Sequence, residues 1–103
     1  MIRITVTRKE GEITSLICKG HAGYAEEGRD IVCAAVSVLA FTCANALESV
    51  AGVKARVEEK DGFLSIFLPD QAGHDAQTVM KTVVQGLRDV CDAYPTYLQL
   101  KEN

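Results

Sequence analysis

The stretch Ile31-Val32-Cys33-Ala34-Ala35-Val36-Ser37-Val38-Leu39-Ala40-Phe41-Thr42-Cys43-Ala44-Asn45-Ala46-Leu47 is the most apolar part of the chain. Whether it crosses a membrane or fills a core decides the fold. Ser37, Thr42 and Asn45 interrupt it, and strand patterns lie on both sides. A core helix is therefore expected, with no membrane partner. Its small residues, Ala34, Ala35, Ala40 and Ala44, allow close approach, and its apolar character on most sides predicts a position in the middle of the protein. Asp30 reads as the N-cap. The helix is predicted to run to about Val50 and to end near Gly52.

Toward the N-terminus, Ile2, Ile4 and Val6 alternate with Arg3, Thr5 and Thr7. Glu10-Gly11 marks a turn and Ile13 to Cys18 a second strand, which together predict a β-hairpin. The segment Gly20 to Arg29 holds three glycines and predicts a mobile loop. Toward the C-terminus, Val53, Ala55 and Val57 alternate with Lys54, Arg56 and Glu58. Asp61-Gly62 is a two-residue hairpin signal. It sets Val57 opposite Ile66 and Ala55 opposite Leu68. Leu64, Ile66 and Leu68 should then face the core, with Phe63, Ser65 and Phe67 on the other side. Pro69 ends that strand. A second helix is expected from about Gly73 to Tyr94, with Ala76, Met80, Val83, Leu87, Val90 and Tyr94 as its core stripe. Pro95 stops it, and Thr96 to Leu100 gives a last strand. The order ββαββαβ predicts one α+β domain over residues 1–103, a mostly antiparallel sheet packed with two helices.

The composition narrows the function classes. Of 103 residues, 48% are hydrophobic and 24% charged, and the net charge is −3. The eleven basic residues are scattered from Arg3 to Lys101, which argues against a nucleic-acid surface and somewhat favours a basic peptide partner. The opening Met1-Ile2-Arg3-Ile4-Thr5-Val6 reads as a strand and not as a secretion signal. Four cysteines without such a signal read as reduced thiols in a cytoplasm. A domain this small is marginal alone, so a dimer is expected.

The chemistry concentrates at His21 and Cys33. Cys33 would be the third residue of the first helix, where unpaired N–H groups and the helix dipole favour an anion. That position predicts a lowered thiol pKa. The loop between the two residues is long enough to bring imidazole to thiol, and a Cys–His pair is the minimal activated nucleophile for acyl transfer. The free N–H groups at the helix start would bind a tetrahedral oxyanion. Spacing alone leaves other readings open. Cys33 could be a small core residue and His21 a solvated one. Cys18-Lys19-Gly20-His21 has zinc-like spacing, with Cys33 as a third ligand. No fourth ligand is evident, because His74 and Cys91 fall on the second helix. Cys43 and Cys91 read as packing, His74 as surface, and Tyr24, Glu26 and Glu27 as loop surface.

The run Gly20-His21-Ala22-Gly23, then Gly28, then Asp30-Ile31-Val32-Cys33-Ala34-Ala35-Val36-Ser37 resembles the signature of the ribosomal-processing cysteine protease family, Prp. The resemblance implies a catalytic dyad of His21 and Cys33. It implies a gating loop from Ala22 to Arg29 containing Gly23, Tyr24 and Gly28, and supporting or substrate-binding roles for Gly20, Asp30 and Ser37. The implied activity is an endopeptidase that removes the N-terminal extension of a large-subunit ribosomal protein, cutting after an aromatic residue. A cytoplasmic homodimer with no cofactor or metal is also implied. No residue is evident that orients the imidazole, although Asp30 could do so. The rival is a ribosome-associated binding protein whose loop docks a partner. Phe63 and Phe67 are expected to be covered by a partner subunit or by the second helix.

Overall fold

Alternating apolar residues pair across a tight turn because only one face of each strand then has to be dry. In the computed structural model, which describes residues 1–26 and 28–103, the N-terminal segments form β1 (Ile2–Lys9) and β2 (Glu12–Lys19) in this way. They are followed by α1 (Ile31–Ser49), β3 (Arg56–Lys60), β4 (Phe63–Phe67), α2 (His74–Ala93) and β5 (Leu98–Glu102). The strand order is β3-β4-β2-β1-β5. Among the described residues only the β1–β5 pair is parallel. The expected ββαββαβ domain is therefore the observed one, with a mixed sheet.

Register decides which face is dry. Ile4 lies opposite Cys18, Val6 opposite Leu16, Cys18 opposite Leu64 and Leu16 opposite Ile66. All are buried and share one cluster with residues of both helices. Both helices thus cover the same face of the sheet. A register shift between Thr7 and Arg8 marks a β-bulge, and beyond it Ile13 is fully buried. The bulge leaves backbone groups for α2 to satisfy. The Ile13 N–H donates to Gln77 Oε1 at 2.8 Å, and Gln77 Nε2 donates to the Ile13 carbonyl at 2.8 Å.

Several sequence expectations need correction. The helix α1 is not enclosed: Val32, Val36, Ala40, Cys43 and Leu47 form one buried stripe, while Ile31, Val38 and Phe41 are exposed. It is long and apolar enough to cross a membrane by length and composition, yet its stripe packs in the core cluster. The strand β3 begins at Arg56 and not Val53, because the Val53 N–H turns back to the Leu47 carbonyl at 2.8 Å and closes the end of α1. Val57 does face Ile66. Ala55 precedes the strand, and the Leu68 N–H donates instead to the Thr14 carbonyl. Every residue of β3 is exposed, as befits an edge strand.

The Phe63 and Phe67 side lies away from α2. There the Arg56 guanidinium sits 4.7 Å from the Phe67 ring centre and the Lys19 ammonium 5.8 Å from that of Phe63. In α2, Ala76, Met80, Val83 and Leu87 are buried as expected. Val84 and Gln77 join them, and Val90 and Tyr94 are half-buried.

Candidate active site

The site is built where β2 ends, α1 begins and the β3–β4 turn folds over. Gly20 turns the chain out of β2 with φ of +95°, and a side chain there would lie 2.5 Å from the Met1 carbonyl oxygen. Only glycine fits both demands. The Gly20 N–H donates to the Gly62 carbonyl at 2.8 Å, and the Met1 nitrogen donates to the His21 carbonyl at 2.7 Å. The His21 backbone is thus tied to the start of β1 and to the β3–β4 turn. Its imidazole lies over Gly62, with Nε2 3.9 Å from Asp61 Oδ2.

Asp30 caps α1 as expected and does more. Its Oδ1 accepts from the Val32 N–H at 3.0 Å and the Cys33 N–H at 2.9 Å. Its Oδ2 accepts from the Tyr24 N–H at 3.0 Å. One carboxylate therefore fixes both the helix start and the loop. The amide of Cys33, then those of the loop, hold its pKa below the usual carboxylate range. The Cys33 side chain also lies close enough to act on it, and among the described residues no hydrogen bond joins Asp30 to His21.

Cys33 Sγ accepts from the Ala22 N–H at 3.2 Å. Its thiol pKa is raised and not lowered. Desolvation is the main cause, the nearby Asp30 adds to it, and the Ala22 N–H opposes it. The expectation of a depressed value fails because desolvation of the thiol, with the Asp30 carboxylate added to it, outweighs what the helix start offers an anion. The same cap overturns the expected oxyanion donors. Asp30 takes the Val32 and Cys33 N–H groups through its side chain and the Ala34 N–H through its carbonyl. The Ala22 N–H is directed at Cys33 Sγ instead.

Two hollows meet here. The first, of about 590 Å³, is bordered by loop residues including Gly23, Gly28 and Asp30. The second, of about 460 Å³, is bordered by Gly20, Phe41, Glu59 and Gly62 among others. His21, Cys33, Ser37 and Asp61 line both. Three of those four were named from sequence. Asp61 was missed, since its Asp-Gly dipeptide signalled a turn and nothing more. Tyr24 borders neither hollow. Its ring meets Tyr94 and Tyr97 edge-on at 5.7 and 5.2 Å between centres, which ties the loop to the α2–β5 junction. Glu27 of the expected gating loop lies outside the described residues.

The other cysteines are occupied in packing. Cys18 and Cys43 are buried, and burial pushes each thiol up to about 12. Cys43 Sγ lies 3.4 Å from Met80 Sδ, and Cys91 Sγ donates to the Leu98 carbonyl. Among the described residues no three His, Cys, Asp or Glu side chains converge on a metal-sized site. His74 opens α2 and borders neither hollow.

Residues 1–99 match the model of the family described as cysteine protease Prp. The ribosomal processing cysteine protease Prp of Staphylococcus aureus is 30% identical over 103 residues, covering 97% of each chain. Its Bacillus subtilis counterpart is 30% identical over 90 residues, covering 84% of this chain and 80% of that one. The fold agrees equally well. The S. aureus protease solved with a covalently linked product peptide superposes with a TM-score of 0.95 at 29% identity over the whole of both chains. The same protease with a substrate peptide gives 0.89 at 28%, again over both whole chains. A thiol and an imidazole on the wall shared by two hollows, in a chain that matches these proteases from end to end, make the protein a cysteine protease of the Prp ribosomal-processing family.

Proposed function

We propose that the protein is the endopeptidase that removes the N-terminal extension of a large-subunit ribosomal protein, with Cys33 as nucleophile and His21 as general base. The observation that carries this reading is that the two residues border both hollows. The flanking hollows suit the two sides of a scissile bond. His21 takes the Cys33 proton as Sγ attacks the carbonyl and gives it to the leaving amine; it then takes a proton from the water that hydrolyses the thioester and returns it to Sγ as the acid product leaves. Desolvation raises the Cys33 thiol pKa, which favours the protonated form and gives the base its task. As Sγ forms its bond to carbon, the Ala22 N–H is free to turn to the developing oxyanion. Gly20 shapes the backbone under His21, Asp30 ties loop to helix, and Ser37 stands one helical turn beyond Cys33 on the shared wall. The loop from Ala22 to Arg29, with Gly23, Tyr24 and Gly28, closes over bound peptide and excludes water. No cofactor takes part.

The protein works in the cytoplasm as a homodimer, without contacting nucleic acid or membrane. The outward apolar side of α1 supports the dimer, because Val38 is 65% exposed while Phe67 already carries the Arg56 guanidinium.

Incubation with a peptide spanning the ribosomal protein's N-terminal extension, read by mass spectrometry, tests the function. Cleavage at one bond is expected. Cys33→Ser and His21→Ala should each lower kcat by at least about a thousandfold while circular dichroism stays unchanged. Wild-type turnover by either folded variant overturns the dyad.

A further inference from the structure

The tip of the β3–β4 hairpin, Asp61-Gly62, belongs to no part of the glycine–histidine and cysteine signature. Its contacts nonetheless converge on the base. The Gly62 carbonyl receives the Gly20 N–H at 2.8 Å, next to His21 in the chain. A side-chain carbon on Gly62 would lie 2.8 Å from His21 Nε2, 3.3 Å from Cδ2 and 3.4 Å from Cε1. The ring therefore lies over a surface that exists only because residue 62 has no side chain. Asp61 Oδ2 stands 3.9 Å from the same Nε2. Asp61 also lines both hollows beside His21, Cys33 and Ser37.

The protein offers its own control. The β1–β2 turn has Gly11 at φ of +82°, close to the +68° of Gly62, and a side chain there would meet nothing within 4 Å. Both glycines serve a left-handed turn conformation, but only Gly62 has an imidazole over it. The backbone need explains Gly11 fully and Gly62 only in part.

We propose that the Asp61-Gly62 turn is the seat of the catalytic base: Gly62 is the surface on which the His21 ring rests, and Asp61 is the positioning residue whose exposed carboxylate faces Nε2 from 3.9 Å, beyond hydrogen-bond distance in the free protein. This rests on the dyad reading above. Asp61 also faces the imidazolium that forms when His21 takes the Cys33 proton, in the place where a third member of the constellation would stand. Its charge then strengthens an ion pair as substrate expels water from the hollows.

The test compares Gly62→Asn, Gly11→Asn, Asp61→Ala, Asp61→Asn and His21→Ala in the full chain, with the extension peptide as substrate. Asparagine tolerates a left-handed φ better than other side chains, so Gly11→Asn measures the cost of the backbone alone. Gly62→Asn should lower kcat by about tenfold or more with KM within about twofold, and Gly11→Asn should leave both unchanged. Asp61→Ala should lower kcat by about fivefold, with partial recovery in Asp61→Asn, which keeps an acceptor oxygen. In NMR spectra the His21 ring signals should move in Gly62→Asn and Asp61→Ala while those of His74 stay in place. If Gly62→Asn does not fold, the two Asp61 variants and their ring signals decide. Wild-type kcat in Asp61→Ala and Gly62→Asn with an inactive His21→Ala overturns the seat and leaves the dyad. Equal losses in Gly62→Asn and Gly11→Asn also overturn it. An active His21→Ala overturns the dyad beneath it.

Discussion

The two helices have nearly equal length, 19 residues in α1 and 20 in α2, and opposite designs. In α2 the buried residues are apolar apart from Gln77: Ala76, Met80, Val83, Val84 and Leu87 face inward, while Thr78, Lys81, Thr82, Gln85 and Asp89 face water. Core packing accounts for that pattern. In α1 only five residues are buried, yet its outward side still carries Ile31, Ala34, Val38 and Phe41. Its apolar surplus is not needed by the core. The ends differ as well. Gly73 caps α2 with no side-chain bond, whereas Asp30 binds two helix amides and one loop amide. A helix more apolar than its buried stripe requires, with its first turn tied by a carboxylate that also holds the loop, carries features that core packing does not explain.

The sharpest way to break this comparison is to remove core from α2. Met80→Ala should cost about 2–5 kcal/mol of stability in chemical denaturation, since the side chain is fully buried. Cleavage per folded molecule should not change. An active-site defect in the folded fraction would mean that α2 is more than scaffold. Next in size, Gln77→Ala strands the N–H and carbonyl of Ile13 at the bulge. A loss of about 2 kcal/mol is expected, with hydrogen exchange at Ile13 accelerated first.

On the α1 side the effect should move from stability to activity. Asp30→Asn replaces one acceptor oxygen with a donor, and both oxygens are in use. Cleavage should fall about tenfold as the Tyr24 amide is released, visible as faster exchange there. Unchanged activity would reduce Asp30 to a cap.

The same carboxylate sets a pH dependence. Its pKa is lowered in the fold, so its stabilisation is present above the unfolded value of about 4. It is lost as pH falls through the depressed native value. Acid unfolding curves of Asp30→Asn should therefore be flatter than wild type in that window. The smallest effect is expected at Val38. Val38→Ser should change monomer stability by no more than about 0.5 kcal/mol, while sedimentation shifts toward monomer. A dimer that survives Val38→Glu moves the contact elsewhere.

Sequence alone carried the element order, because each signal is local. Alternation in Ile2, Ile4 and Val6, the Glu10-Gly11 and Asp61-Gly62 turns, the Asp30 cap and the Pro95 stop each act within a few residues. It also carried His21 and Cys33 as candidates, through a motif whose spacing is itself a local property. What it could not carry depends on atoms distant in the chain. The bulge that buries Ile13 is legible only with Gln77 docked 64 residues away. The start of β3 shifted because the Val53 amide had a better partner in α1. Which side of α1 is dry follows from both helices packing on one sheet face. The Cys33 pKa went up because desolvation and a capping charge outweigh a helix dipole, a balance set by three-dimensional distances. Asp61 came to His21 by the closing of a sheet, 40 residues along the chain. Local propensity chooses the elements, but burial and through-space electrostatics, which exist only once the chain has closed on itself, choose what the site can do.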